Sequence, residues 1–130
     1  MNETLHKSTD LIGRIFMAVI FLTAGLGKIG GYAATQAYME SVGVPGMFLP
    51  LVILIEAGGA LALIVGWQTR IAALVLAGFS VLSALLFHAD FGEKMQMIQF
   101  QKNIAIAGGF LILALHGPGS WSLDAYRNRA

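Results

Sequence analysis

A chain of 130 residues with 57% hydrophobic and only 12% charged positions is far less charged than a soluble domain, where roughly a quarter of residues carry charge. Its mean hydropathy of +0.75 reads as an all-α integral membrane protein, one domain over 1–130, with room for four spans of about 20 residues each and none for a separate soluble catalytic domain. A net charge of +1 without a long basic run excludes a nucleic-acid partner, and the absence of cysteine excludes disulfides, thiolate catalysis and iron–sulfur ligation within the chain.

The first apolar run, about 11–30, has Arg14 and Lys28 near its ends, where both side chains can snorkel to the headgroups. Lys7 and Arg14 ahead of Leu22-Thr23-Ala24 loosely resemble a cleavable leader, the weaker of the two readings of this run. Residues 31–48 carry Ala34, Tyr38 and Val42 at four-residue spacing beside Gln36 and Glu40, the pattern of a short interfacial helix placed to act as a lid. The second run, about 49–67, is followed by Gln68-Thr69-Arg70, a turn short enough to impose an antiparallel hairpin. The third, about 71–88, ends at His88. Residues 89–99, with Met95, Met97 and Ile98 among Glu93, Lys94 and Gln96, read as a second interfacial piece. The fourth run, about 100–116, stops at His116-Gly117-Pro118-Gly119, where glycine and proline end a helix. Ser122 and Asp124 beyond it are placed to cap one short turn. The result is a four-helix bundle with a short interfacial helix between its first two spans, and Trp67 and Trp121 suit the interfacial belt.

Orientation is read from basic residues beside the spans. Lys7, Arg14, Arg70, Arg127 and Arg129 fall on the side of both termini, and Lys28, Lys94 and Lys102 on the other. The bias predicts cytoplasmic termini in a bacterial inner membrane.

Five polar side chains, Lys28, Glu56, His88, Lys102 and Asn103, lie in or at the ends of the apolar runs, and connectivity brings all five toward the side opposite the termini. An ionisable group at bilayer depth costs roughly 2.5 to 3.5 kcal/mol on insertion scales, so it needs a partner and usually a reason. With a second helix beginning near Leu49, Glu56 lies roughly 10 Å below its end, too deep to reach water. Lys28 is the first expected partner and Lys102 the competing one. Ala24, Gly59, Ala60, Ala105 and Gly109 share the relevant faces and permit close packing, and Ser80 and Ala84 at four-residue steps before His88 would turn that imidazole inward. Two uses compete: a buried network that only fixes helix register, and a site for a small ligand, a quinone head group or a proton-coupled solute. Haem is disfavoured because His88 and His116 fall at opposite ends of spans across a core of roughly 30 Å, and no metal is expected, for want of ligands. The halves share a plan of helix, long connection and helix, which would make a parallel repeat about the membrane normal.

Gly25-Leu-Gly-Lys28-Ile-Gly-Gly-Tyr32, Tyr38-Met-Glu-Ser-Val-Gly-Val-Pro45-Gly, Glu56 ahead of Gly58-Gly59, Gly66 before Thr69-Arg70, Phe87-His88, and Lys102-Asn103 leading to Gly117-Pro-Gly119 and Ser122-Leu-Asp124 together resemble the DoxX family. The resemblance covers nearly the whole chain. It implies a small bacterial inner-membrane protein with four helices, in a family some of whose members are linked to thiosulfate–quinone oxidoreduction or to membrane complexes with superoxide dismutase and a sulfurtransferase. On that basis the expected role is an accessory or small-molecule-binding membrane subunit linked to redox metabolism. Quinone is the one cofactor considered, and the partners are the lipid bilayer, a second copy, or membrane redox proteins. The alternatives are a quinone-linked oxidoreductase subunit, in which Glu56 or His88 would transfer protons while Lys102 or Asn103 holds a carbonyl oxygen, and a small-solute or proton-coupled transporter.

Overall fold

The computed structural model describes residues 2–129, and every regular element in that range is helical. Asn2 opens α1 (Glu3–Gly30), its side-chain oxygen accepting from the Leu5 amide at 2.7 Å and so satisfying one of the free donors of the first turn. Gly31 separates α1 from α2 (Tyr32–Ser41). Then follow α3 (Gly46–Val65), α4 (Thr69–Phe87), α5 (Lys94–His116) and the short α6 (Leu123–Arg129). Of these, α1, α3, α4 and α5 are long and apolar enough to cross a membrane.

Two helices run beyond the apolar limits read from sequence. α1 starts at Glu3 and α5 at Lys94, so α5 absorbs most of the piece expected at 89–99. No glycine or proline lies between Lys94 and Phe100 to stop a helix, whereas Gly30-Gly31 and Pro45-Gly46 bracket the first connection. That connection does fold as a separate helix, α2. The two connections are therefore unlike, and a repeat relation draws no support from them.

α1 lies along α3, α4 along α5, and α4 also touches α3. Lipid tails are as apolar as leucine, so spans associate through close contact and polar bonds and not by hiding surface from water. The core accordingly mixes small residues (Ala18, Ala60, Ala73, Ala77, Ala107) with Phe21, Leu63, Leu76 and Phe110, while large side chains such as Phe16, Leu54, Ile112 and Leu115 face outward. At the α1–α3 crossing a Cβ on Gly25 would stand 2.9 Å from the Ala57 amide nitrogen. Only glycine permits that approach, one turn from Lys28 and Glu56.

The end bearing the termini is tied together by three side chains. Arg14 does not snorkel: it is 2% exposed and donates to the carbonyls of Leu63 (2.8 Å), Ile64 (3.4 Å) and Trp121. The first two belong to the last turn of α3, which has no intrahelical donor for them. Gly66 ends α3 in the left-handed region at φ 74°, and its lack of a side chain makes room, since a Cβ there would lie 2.7 Å from Arg14 Nη1. Arg70 likewise donates to the carbonyls of Ala114 and Leu115, at 3.1 and 2.9 Å, where α5 runs out.

Asp124 is the third. Ser122 caps α6 as expected, its hydroxyl accepting from the Ala125 amide at 3.1 Å, but Asp124 caps a different helix. Its carboxylate accepts from the amides of Gln68 and Thr69 at 2.8 and 2.9 Å, and its own amide donates to the Gly66 carbonyl at 2.8 Å. Gln68, at φ 49°, supplies no side-chain cap to α4, so the cap comes from 56 positions further along. The segment 117–124, expected only to end the fourth span, thus joins α1, α3, α4 and α5.

Partial burial alone would push the Asp124 carboxyl up, but the Thr69 and Gln68 amides, with the charge of Arg127, outweigh it and hold the carboxyl below its usual range. A carboxyl lowered in the folded state contributes stability that is complete above its unfolded value and is lost as pH falls through the folded one. Asp124→Ala is expected to cost about 1 kcal/mol at neutral pH, as loss of a helix cap does. It should also flatten the acid side of the stability profile, measured as thermal unfolding in detergent from neutral pH down through the carboxylate range.

Candidate functional site

α3 departs from regular α-helical geometry at one place. Leu54–Gly58 forms a π-helical turn, and Glu56 sits at its centre. Such turns are rare and occur mostly as single bulges inside α-helices, frequently at functional sites. Counted from Gly46, Glu56 lies roughly 15 Å along the helix at 1.5 Å per residue, about halfway through the span Gly46–Val65. It is 4% exposed.

The Lys28 ammonium approaches Glu56 Oε1 to 2.7 Å. Lys28, in the last turn of α1, turns its stem inward and keeps its side chain 29% exposed while the carboxylate is nearly covered. Among the described residues no hydrogen-bond donor other than Lys28 serves Glu56 Oε1. Lys28 neutralises the charge, yet a carboxylate has acceptor capacity for several donors.

That unused capacity borders two cavities. The larger, about 190 Å³, is lined by Lys28, Glu56 and Val52, by Phe79, Ser83, Phe87 and His88 of α4, and by Thr35, Tyr38 and Met39 of α2. α2 is its roof, as the lid expectation required. The Tyr38 ring stacks on Phe87 with centroids 5.6 Å apart and planes 23° apart, Met39 is buried, and Gln36 donates to the Gly46 carbonyl at 3.2 Å. The smaller cavity, about 160 Å³, shares Glu56, Phe79, Ser83 and His88 and continues past Ser80 to Asn103 and Ile106 of α5 and Ile20, Phe21 and Ala24 of α1.

His88 ends α4, and its Nδ1 lies 3.2 Å from Gln96 Oε1 in the first turn of α5. With Nδ1 donating to that oxygen, Nε2 is the ring nitrogen left free to accept. Of the five residues expected to converge, Lys28, Glu56, His88 and Asn103 line the cavities, and Lys102 does not. It is exposed on α5, lines neither cavity and forms no ion pair among the described residues. Neighbours on a helix are turned about 100° apart, and on α5 it is Asn103 that faces the cavity while Lys102 faces out. Residues that sequence reasoning passed over are Phe79, Ser83 and Gln96. Ser83 lies within an apolar run and Phe79 looks like any lipid-facing aromatic, so neither carried a signal; Gln96, beside Met95 and Met97, was read as interface. Among the described residues no three His, Asp or Glu side chains gather as a metal site would require.

Four apolar spans, a buried ion pair and a cavity roofed by α2 define a multi-pass membrane protein with a polar site between its spans. The DoxX family profile matches residues 9–89, and the chain belongs to the DoxX family. It is 55% identical over 119 residues to the inner membrane protein YqjF of Escherichia coli (strain K12), with 92% of each chain covered. It is 36% identical over 121 residues to the inner membrane protein YphA of the same organism, with 88% of this chain and 86% of that one covered. No solved structure matches. The family match takes in Lys28, Glu56 and His88 and ends before α5, leaving Asn103 outside it.

Proposed function

We propose that this protein is a small-molecule-binding subunit of the bacterial inner membrane, with both termini cytoplasmic, that serves a membrane redox assembly by holding a quinone head group in the cavity beneath α2. The observation that carries the reading is Glu56: a carboxylate buried midway along an apolar span, given one partner, and turned toward a cavity. A structural ion pair needs no cavity beside it. The larger cavity falls below the roughly 300 Å³ at which sites for drug-sized ligands begin, which suits a single-ring head group. The residues fit that group. Lys28 Nζ is a donor for a ring oxygen, His88 Nε2 and Glu56 are acceptors for a ring hydroxyl, and the stacked Tyr38 and Phe87 offer an aromatic wall. A bound quinone supplies two-electron, two-proton exchange. The chain's own part is to orient the ring, exclude water and keep proton-accepting groups at its edge. The orientation rests on the excess of Lys and Arg on the side of the termini, and the redox assignment on what DoxX membership implies.

The test is native mass spectrometry in lipid nanodiscs, wild type beside Glu56→Gln. The expected result is a stoichiometric quinone adduct on the wild type that is lost in the variant. No adduct on either protein, with the variant less stable, would make the pair a structural network and direct attention to partner proteins.

A further inference from the structure

The smaller cavity extends the head-group site away from α2, and its location indicates what it is for. It lies between α1 and α5, which touch each other only sparsely. Toward the termini that seam is closed: Phe21 and Phe110 pack with ring centroids 5.4 Å apart, and the Met17 methyl fills the space beside Gly109, where a Cβ would come within 2.9 Å of it. One turn further from the termini the seam is not filled, and Ala24 faces Asn103 and Ile106 across the cavity. Its lining includes Ile20, which is itself 54% exposed, so the cavity reaches the outer surface of the bundle there. Ala24 lies roughly 9 Å from the Lys28 end of α1 by helical rise, and Asn103 lies just inside the apolar run of α5 that begins at about residue 100, so the seam opens between the apolar parts of both spans.

We infer that this cavity is a lateral port, through which the polar site is reached from within the bilayer, and that the ligand is a lipid-soluble quinone whose apolar tail lies between α1 and α5 while its head reaches Lys28 and Glu56. The inference rests on the quinone reading above and adds the route and the tail. The two cavities share Glu56, Phe79, Ser83 and His88, so a molecule passing from one to the other slides along a single wall of α4. The larger cavity is roofed by α2, which the Gln36 to Gly46 bond and the Tyr38–Phe87 stack hold in place. The seam, in contrast, is bordered by the small side chain of Ala24 and has no helix laid over it. Asn103 sets a polar group partway along an otherwise apolar route, where its amide can hydrogen-bond a ring oxygen on the way in.

The experiment uses the wild-type protein in nanodiscs and a benzoquinone carrying a decyl chain with a terminal photoreactive diazirine. Labelled peptides are mapped with and without an excess of the same head group lacking the chain. The expected result is labelling of the α1 and α5 segments around Ile20 and Ile106, suppressed by the tail-less competitor. Ala24→Trp, which narrows the port and leaves the Lys28 and Glu56 side chains themselves unaltered, should reduce that labelling to the level seen with the competitor. Labelling that the competitor suppresses but that maps to α2 or α3 would overturn the port and leave the head-group site standing. Labelling that the competitor does not affect would overturn both.

Discussion

Lys28→Met is expected to destabilise the protein by about 3 kcal/mol, and Lys28→Met combined with Glu56→Met to recover most of that loss. The single change leaves a carboxylate that is 4% exposed without the ammonium that now stands 2.7 Å away. Removing one partner of a buried pair typically costs about 3–5 kcal/mol, and the lower figure applies because Lys28 keeps 29% of its side chain exposed. The double variant places two flexible apolar side chains where the charges were. Exchanging a buried pair for apolar residues of similar size is often neutral or stabilising. Thermal unfolding in detergent of the wild type, both single variants and the double variant closes the cycle. A Lys28→Met protein as stable as the wild type would mean that the two charges are not coupled. A double variant that regains stability yet no longer holds ligand would show that the pair is retained for binding and not for architecture.

Arg14→Met should cost on the order of 3 kcal/mol, the scale of losing charged hydrogen bonds to buried acceptors. Its guanidinium is the donor that reaches both the last turn of α3 and the segment after α5. Arg14→Lys is expected to rescue only part of the loss, because a single ammonium cannot span carbonyls that a planar fork reaches together. Thermal unfolding gives the magnitude. Limited proteolysis gives the location: cleavage should rise first at 117–124, whose Trp121 carbonyl loses its donor, and should leave the Lys28 end untouched. Uniform loosening of the bundle would contradict this account of Arg14.

Lys28 and Glu56 were readable as a pair because a charge in a long apolar run has few ways to be accommodated, and helical rise shows how deep each group lies. Lys102 looked equivalent by the same criteria and proved to be on the outside. Depth is a property of position along a helix, but facing is a property of rotation, and the α5 sequence around 102–103 does not state which side meets α1. The π-helical turn at Leu54–Gly58 was invisible for a related reason: a periodicity argument presumes 3.6 residues per turn, and this turn breaks the period at the functional residue. Arg14 was misread as snorkelling because its use depends on carbonyls left free by another helix 49 and 50 residues away.

Hydropathy, turn length and four-residue spacing determined that this protein has four apolar spans, a hairpin between the second and third, a short helix between the first two and a carboxylate that must find a cation, because these are local properties of each segment. Tertiary structure alone decided which helix faces oppose, and with them the roof over Glu56, the unfilled seam between α1 and α5, the burial of Arg14 and the loan of Asp124 as a cap to α4. Those outcomes depend on contacts between residues far apart in the chain, in a solvent that drives helices together only through shape and hydrogen bonds.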